Sequence, residues 1–328
     1  MKASLQRFAF LLVLCASISV QLQGQSLDEY SEFYRSMRRG PLDEYIFCGP
    51  TDSAATDPMA IGVRRDSLGR PLEVARFRFG NIDNTGDYSV IRVEYVDQES
   101  SIKEMRTFHL SNGAPTVVGK TTTEEVLRRR STGVMIRSLL NRKGEPVDDS
   151  VWVSRAFFTG KSDGTYEEQW FVSTGKQQKG AGSDLPGSPF GSMPPSTYFR
   201  RFGLDGAGNL AWERVFSFEK RPIPYPGGEV VRRYRRDSCS RAVVTTFEDA
   251  DGKPMVDSGG VHEVRERYDV AGNLLERSFH ALDGSLRFDR HAGYARIELH
   301  YRRFDNVLVN TELFDAQNRP VSPPGARN

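Results

Sequence analysis

Tyr268-Asp269-Val270-Ala271-Gly272-Asn273-Leu274-Leu275-Glu276-Arg277-Ser278-Phe279-His280-Ala281-Leu282-Asp283-Gly284-Ser285-Leu286 is the stretch that decides the fold. It holds two turn phrases, Asp-x-x-Gly-Asn and Asp-Gly-x-Leu, separated by a short run that ends in an aromatic residue. Glycine in each phrase supplies the positive φ of a tight turn, and the leading Asp can bond its own backbone across it. A type I′ hairpin turn is the expectation at the Asp-Gly pairs.

Both phrases recur. The second returns as Phe108…Asn112-Gly113-Ala114-Pro115, Phe247…Asp251-Gly252-Lys253-Pro254 and Phe314…Asn318-Arg319-Pro320. Fainter copies run from Phe79 to Gly86, Leu139 to Pro146, Phe171 to Gln177 and Phe216 to Pro222. Six of the seven intervals between equivalent positions fall at roughly 29 to 36 residues, the range of stacked supersecondary units. The long interval contains a Gly/Pro/Ser-rich insertion, residues 180–196, without apolar periodicity. The first phrase returns as Asp66-Ser67-Leu68-Gly69-Arg70-Pro71 and Asp205-Gly206-Ala207-Gly208-Asn209-Leu210.

Between the turns the apolar period is two. Ala295, Ile297, Leu299 and Tyr301 share one face, while Arg296, Glu298, His300 and Arg302 share the other, and Ile91, Val93 and Tyr95 repeat the pattern. A lone hairpin is marginal in water, so each must bury its apolar face against neighbours. The fold class expected is mainly β: an antiparallel β-hairpin repeat array of about eight units of ~32 residues, making a long twisted or curled sheet. One N-terminal helix is expected before it. Ser26 and Glu29 form a capping box, Leu27, Tyr30, Phe33, Tyr34 and Met37 lie at helical spacing, and Gly40-Pro41 stops the run.

The domain order read from the sequence is 1–24 signal peptide, 25–40 amphipathic helix, 41–179 first half of the array, 180–196 loop, 197–321 second half and 322–328 tail. Lys2 and Arg7 precede an apolar run from Phe8 to Val20, too short for a membrane span, so no transmembrane segment is expected after cleavage. Cys15 follows the bulky Leu14, which argues against lipid attachment. Export to the periplasm, outer surface or medium follows. The net charge of +2 resides in Lys2 and Arg7, leaving 43 basic against 43 acidic residues, so no nucleic-acid partner is expected. An outer-membrane barrel is disfavoured by charged residues on one face of each strand and polar breaks on the other. Cys48 and Cys239 leave two readings open, a disulfide or two isolated thiols, and an elongated stack would hold them apart.

Tyr268 to Asn273, Gly293-Tyr294-Ala295-Arg296 and the Asp-Gly-x-Pro turns resemble the tyrosine-aspartate (RHS-type) and MORN-like hairpin repeats of exported bacterial proteins, most clearly from Tyr198 to Val321. The resemblance implies a fold class and no specific activity. The unit here is longer than the usual one, and neither an RHS cleavage signature nor a toxin domain is visible.

Chemistry is sparse. His262, His280, His291 and His300 lack the pair spacing of zinc ligands, and the acids of the turns lack the ladder of a calcium loop, so no metal is expected. No nucleophile elbow, catalytic cysteine context or phosphate loop is present, and no cofactor is implied. Strand alternation places Arg232 and Glu266 on one face with His262 beside Glu266, as a register-fixing ion pair or a polar spot in a groove. Trp152, Trp170, Tyr198 and Trp212 are candidate contacts for a protein or glycan, or packing residues. The function expected is an exported, non-catalytic binding or structural surface at the cell envelope. The alternative is a glycan hydrolase using paired carboxylates on the sheet, which a pocket with acids of perturbed pKa would favour.

Overall fold

A computed structural model describes residues 27–52, 54–148, 155–171, 174, 198–302 and 307–322. The segments read as signal peptide (1–24) and loop (180–196), and Trp152, lie outside the described residues.

The turns set the geometry. Asp249 donates its N–H to the Lys253 carbonyl at 3.0 Å, and its Oδ1 accepts the N–H groups of Asp251 and Lys253, each at 2.9 Å. Gly252 alone in this turn has positive φ, 80°. This is a type I turn closed by one left-handed residue, whereas the type I′ turn expected from the sequence needs two in succession. The Asp side chain explains the difference: by bonding two backbone N–H groups ahead of it, it holds the central residues right-handed and leaves the last to reverse. The Asp205 and Asp269 turns follow the same plan, with Gly208 and Gly272 at φ 82° and 93°. Lys220 and Asn318 take the left-handed place where glycine is missing, at φ 62° and 61°.

The strands are β1 (Glu32–Arg39), β2 (Tyr45–Pro50), β3 (Ala60–Arg65), β4 (Pro71–Arg78), β5 (Asn81–Ile82), β6 (Val90–Asp97), β7 (Ser101–His109), β8 (Thr123–Arg129), β9 (Met135–Leu140) and β10 (Arg155–Gly160). They continue as β11 (Tyr166–Phe171), β12 (Phe199–Leu204), β13 (Leu210–Phe216), β14 (Val231–Arg236), β15 (Ala242–Glu248), β16 (Glu263–Tyr268), β17 (Leu274–His280), β18 (Arg296–Arg302), β19 (Val307–Phe314) and β20 (Pro320–Val321). All twenty belong to one antiparallel sheet in which sequence neighbours pair in space, save that β1 lies between β2 and β3 and β4 pairs with both β5 and β6. No ladder joins β2 to the last strands among the described residues, so the sheet is open.

The helix expected at 25–40 is replaced by a 3-10 turn, Leu27–Glu29, followed by β1. The reason is two-sided packing. Phe33 joins a cluster with Tyr30, Phe77 and Val90, while Tyr34 and Met37 join another with Val63, Ile91 and Phe108. A strand covered on both faces loses its alternation, and the apolar positions then imitate helical spacing.

The sheet curls, and the β1–β2 hairpin lies inside the curl. Tyr45 at the start of β2 packs under the Arg106 guanidinium of β7, 4.4 Å from the ring centre, and Asp43 at the hairpin turn meets Arg106 and Arg137. The hairpin's other face meets the late turns: Gly49 lies against the Val270 carbonyl and Ser36 against Gly272. Leu42 packs on the largest core cluster, which runs through Val126, Met135, Phe158, Trp170, Phe202, Val215 and Tyr234 on the successive strands β8 to β14.

Candidate functional site

The inner face of the curl carries charge at its centre. Arg200 on β12 reaches Glu168 on β11 at 2.6 Å and Glu213 on β13 at 3.0 Å, all three about 1 % exposed. Burial alone would lower the Arg200 pKa, but the two carboxylates outweigh it and hold the guanidinium firmly charged. Glu213, which burial would raise, is held below its ordinary value by Arg200 and Arg232 and by the Tyr234 hydroxyl, which donates to it at 2.5 Å. Around the hairpin tip, Asp43, Glu104, Glu124, Arg39 and Arg106 form a second buried group. These charges fill the interior with paired side chains.

Register puts Arg232 and Glu266 on the same inward face, since Arg232 opposes Phe247, Thr245 opposes Val264, and Glu266 follows two residues on. They do not pair with each other. Arg232 donates to Glu229 at 2.7 Å, and Glu266 accepts from Arg277 and from the Tyr268 hydroxyl at 2.9 Å. His262 is tied by Nδ1 to the Met255 carbonyl at 2.8 Å. Trp170 is fully buried in the core, Trp212 lies across Gly203, and Tyr198 meets Phe218 edge to face at 5.3 Å. Among the described residues, those singled out in the sequence are therefore dispersed and are not gathered into one site.

A different group does converge, at the connectors that follow β13, β15 and β17. Each connector bridges back to its strand, through Pro222, Pro254 or Leu286, and then makes a further turn that begins at Tyr225, Asp257 or Asp289. The turns stack: the Ser258 N–H donates to the Gly227 carbonyl at 2.6 Å, and the Ser258 hydroxyl sits 2.8 Å from Nε2 of His291. A cavity of about 250 Å³ opens between them, lined by Glu229, Asp257, Asp289, Ser258 and His291 over a floor of Phe247, Val261, Val264 and Phe279.

The carboxylates are held close by missing side chains. A Cβ on Gly227 would overlap Glu229 Oε2, and one on Gly259 would overlap Asp289 Oδ1. Burial raises the Asp257 carboxyl above its ordinary value, the Val261 N–H opposes the shift, and the negative charges of Asp289 and Glu229 reinforce it. Glu229 is 2 % exposed; its Oε1 accepts from Arg232, and its Oε2 has no hydrogen-bond partner among the described residues. Arg232, buried and ion-paired to Glu229, also lines the cavity, and Arg287 lies nearby beside Gly260. Ser258 and His291 resemble a nucleophile and base, but Asp289 accepts from the backbone N–H of His291 at 2.8 Å, where a triad would have its ring N–H.

The sequence did carry a sign of this site. Gly227-Gly228 and Gly259-Gly260 recur in register, yet only the second glycine of each pair has the positive φ a turn requires. The first is free for another purpose, the close approach of a carboxylate. On the outer face, Glu298, His300 and Glu312 bring ligand atoms within 4.8 Å of one another, half-buried to exposed.

No family model matches the chain, and no curated protein matches it. Among solved structures it is similar to a Tc holotoxin pore of Photorhabdus luminescens, at 10% identity and a TM-score of 0.24, covering 82% of this chain and 14% of that one. It is also similar to the complex TcdB2-TccC3-Cdc42, at 11% identity and a TM-score of 0.21, covering 88% of this chain and 19% of that one. The chain thus spans less than a fifth of either, and likenesses this distant carry no argument about fold or function.

Proposed function

We propose that this is an exported, non-enzymatic repeat protein of the bacterial envelope, about eight hairpin units long, that presents the connector cavity to a positively charged group of a protein or glycan partner. The observation that carries the reading is the charge balance of that cavity: three carboxylates against one arginine, Arg232, which is bonded to one oxygen of Glu229 and leaves the other buried without a hydrogen bond, with Asp257 raised in pKa, over an apolar floor. An ammonium or guanidinium would satisfy the free oxygen and relieve the mutual repulsion, while the stem carrying it covers Phe247 and Phe279. The filled interior supports a rigid scaffold around this site.

Titration calorimetry with a lysine-rich peptide and with a glucosamine oligomer, each beside its N-acetylated counterpart, tests the reading. Binding of either cationic form, lost on acetylation and in the Asp257→Asn/Asp289→Asn variant, is the expected result. Equal heats for charged and acetylated probes would refute it.

The raised carboxyl of Asp257 beside Asp289 also supports a second reading, a glycan hydrolase. Release of reducing ends from a panel of glycans, abolished by Asp257→Asn, would replace the binding reading with that one.

A further inference from the structure

We infer that Cys48 and Cys239 form a disulfide that staples the internal β1–β2 hairpin to the wall of the curled sheet. The two lie 191 positions apart in the sequence, and the fold makes their thiols neighbours, both free. This inference is independent of what the cavity binds.

Two contacts between the hairpin and the late turn, and the hydrogen bonds that join that turn to the one before it, fix the approach. Cys48 is opposite Ser36 in the β1–β2 ladder, and Ser36 rests on Gly272; the next residue, Gly49, rests on the Val270 carbonyl. Both belong to the turn after β16. Cys239 sits in the preceding turn of the stack, its N–H held by Asp237 Oδ1 at 2.9 Å. Arg241 locks the two turns together, donating to Asp237 Oδ2 and to the Asp269 carbonyl, each at 2.6 Å. The hairpin thus docks on a linked double turn that brings Cys48 and Cys239 together. The curl removes the objection raised by an elongated stack.

Formation needs an oxidant of the disulfide class, such as oxidised glutathione. Cys239 is half-exposed and Cys48 buried, so Cys239 meets the reagent first. Its thiolate attacks one sulfur of R–S–S–R, a mixed disulfide forms, and one RSH leaves. The Cys48 thiolate then attacks Cys239 Sγ, the 48–239 bond forms and the second RSH departs, so that two protein thiols lose two electrons and two protons and the reagent gains both. Burial, and then the neighbouring Cys239, push the Cys48 thiol up to about 12, so this second step is slow once the hairpin has docked. Closure accordingly belongs to folding in the presence of the oxidant.

The test uses the whole chain refolded in a glutathione redox buffer, alkylated in denaturant without reductant, digested and mapped by mass. A linked peptide pair containing Cys48 and Cys239, two hydrogens lighter than the sum, is expected, with neither thiol alkylated. Alkylation of both, or capture of either as a glutathione or intermolecular adduct, overturns the proposal. The stapling role has its own readout: dithiothreitol should lower Tm by several degrees in the parent chain and leave Cys48→Ser and Cys239→Ser unmoved. A linked parent whose Tm ignores reduction would remove that role, and the mass map stands even if a variant fails to fold.

Discussion

Asp43, at the turn of the N-terminal hairpin, accepts a hydrogen bond from Arg106 on β7 at 2.8 Å, across 63 positions of sequence and with both residues at most 2 % exposed. The same guanidinium donates to the Asp43 backbone carbonyl at 2.7 Å. A hairpin tip is thereby anchored to the middle of the sheet that surrounds it, and the anchor is ionic.

Removing one partner leaves the other charge buried and unmatched. Asp43 has φ 63°, which asparagine tolerates, so Asp43→Asn isolates the loss of charge from any backbone strain. It should cost about 3–5 kcal/mol in denaturant unfolding, since Arg39, Arg106 and Arg137 all lose their common counter-charge. A loss below about 1 kcal/mol would show that the hairpin is held by its apolar contacts instead.

Acid should unfold the protein. Burial would raise Asp43, but Arg39, Arg106 and Arg137 hold it below its ordinary value, and Arg200 and Arg232 do the same for Glu213. A depressed carboxylate stabilises the fold fully above its unfolded pKa, and that contribution is lost as pH falls through the folded value. Urea midpoints should be level near neutrality and fall as the pH drops below about 4.5, and Glu213→Gln should flatten the fall.

Asp257 has the opposite sign. Its raised pKa means that the ionised form is disfavoured in the fold, so Asp257→Asn should leave stability unchanged or improve it by up to about 1 kcal/mol. Asparagine retains the oxygen that accepts the Val261 N–H. Binding of a cationic probe should weaken as pH falls through the Asp257 value, which titration at stepped pH would follow; pH-independent affinity would place the cation elsewhere.

Turn substitutions should separate by φ. Gly252→Ala places a Cβ at φ 80° and should cost about 1 kcal/mol, while Lys220→Gly, at φ 62°, should gain roughly 0.5–1 kcal/mol. Thermal unfolding of the two variants reads both, and a destabilising Lys220→Gly would mean that its side chain contributes more than the strain it bears.

The β repeat was legible because its causes are local. Asp269 and Asp283 caps, their glycines and the alternation of Ile297, Leu299 and Tyr301 act over a few residues, and the structure has turns and strands at those places. The opening segment departs from the helical reading because β1 is half-buried and packs apolar residues on both faces, which erases the period a strand shows when one face meets water. Arg232 and Glu266 were placed on the correct face by alternation, yet their partners, Glu229 and Arg277, follow from inter-strand register and connector path.

By itself, then, the sequence determined an antiparallel hairpin array, since turn chemistry and a period of two need no distant partner. Tertiary structure decided how that array bends and what lies within it. Curvature brings β7 to the hairpin tip, Cys239 to Cys48, and three connector turns into a stack whose carboxylates share one cavity. Such contacts join residues tens to hundreds of positions apart, and their energies depend on burial and register accumulated over the whole sheet, which no local pattern encodes.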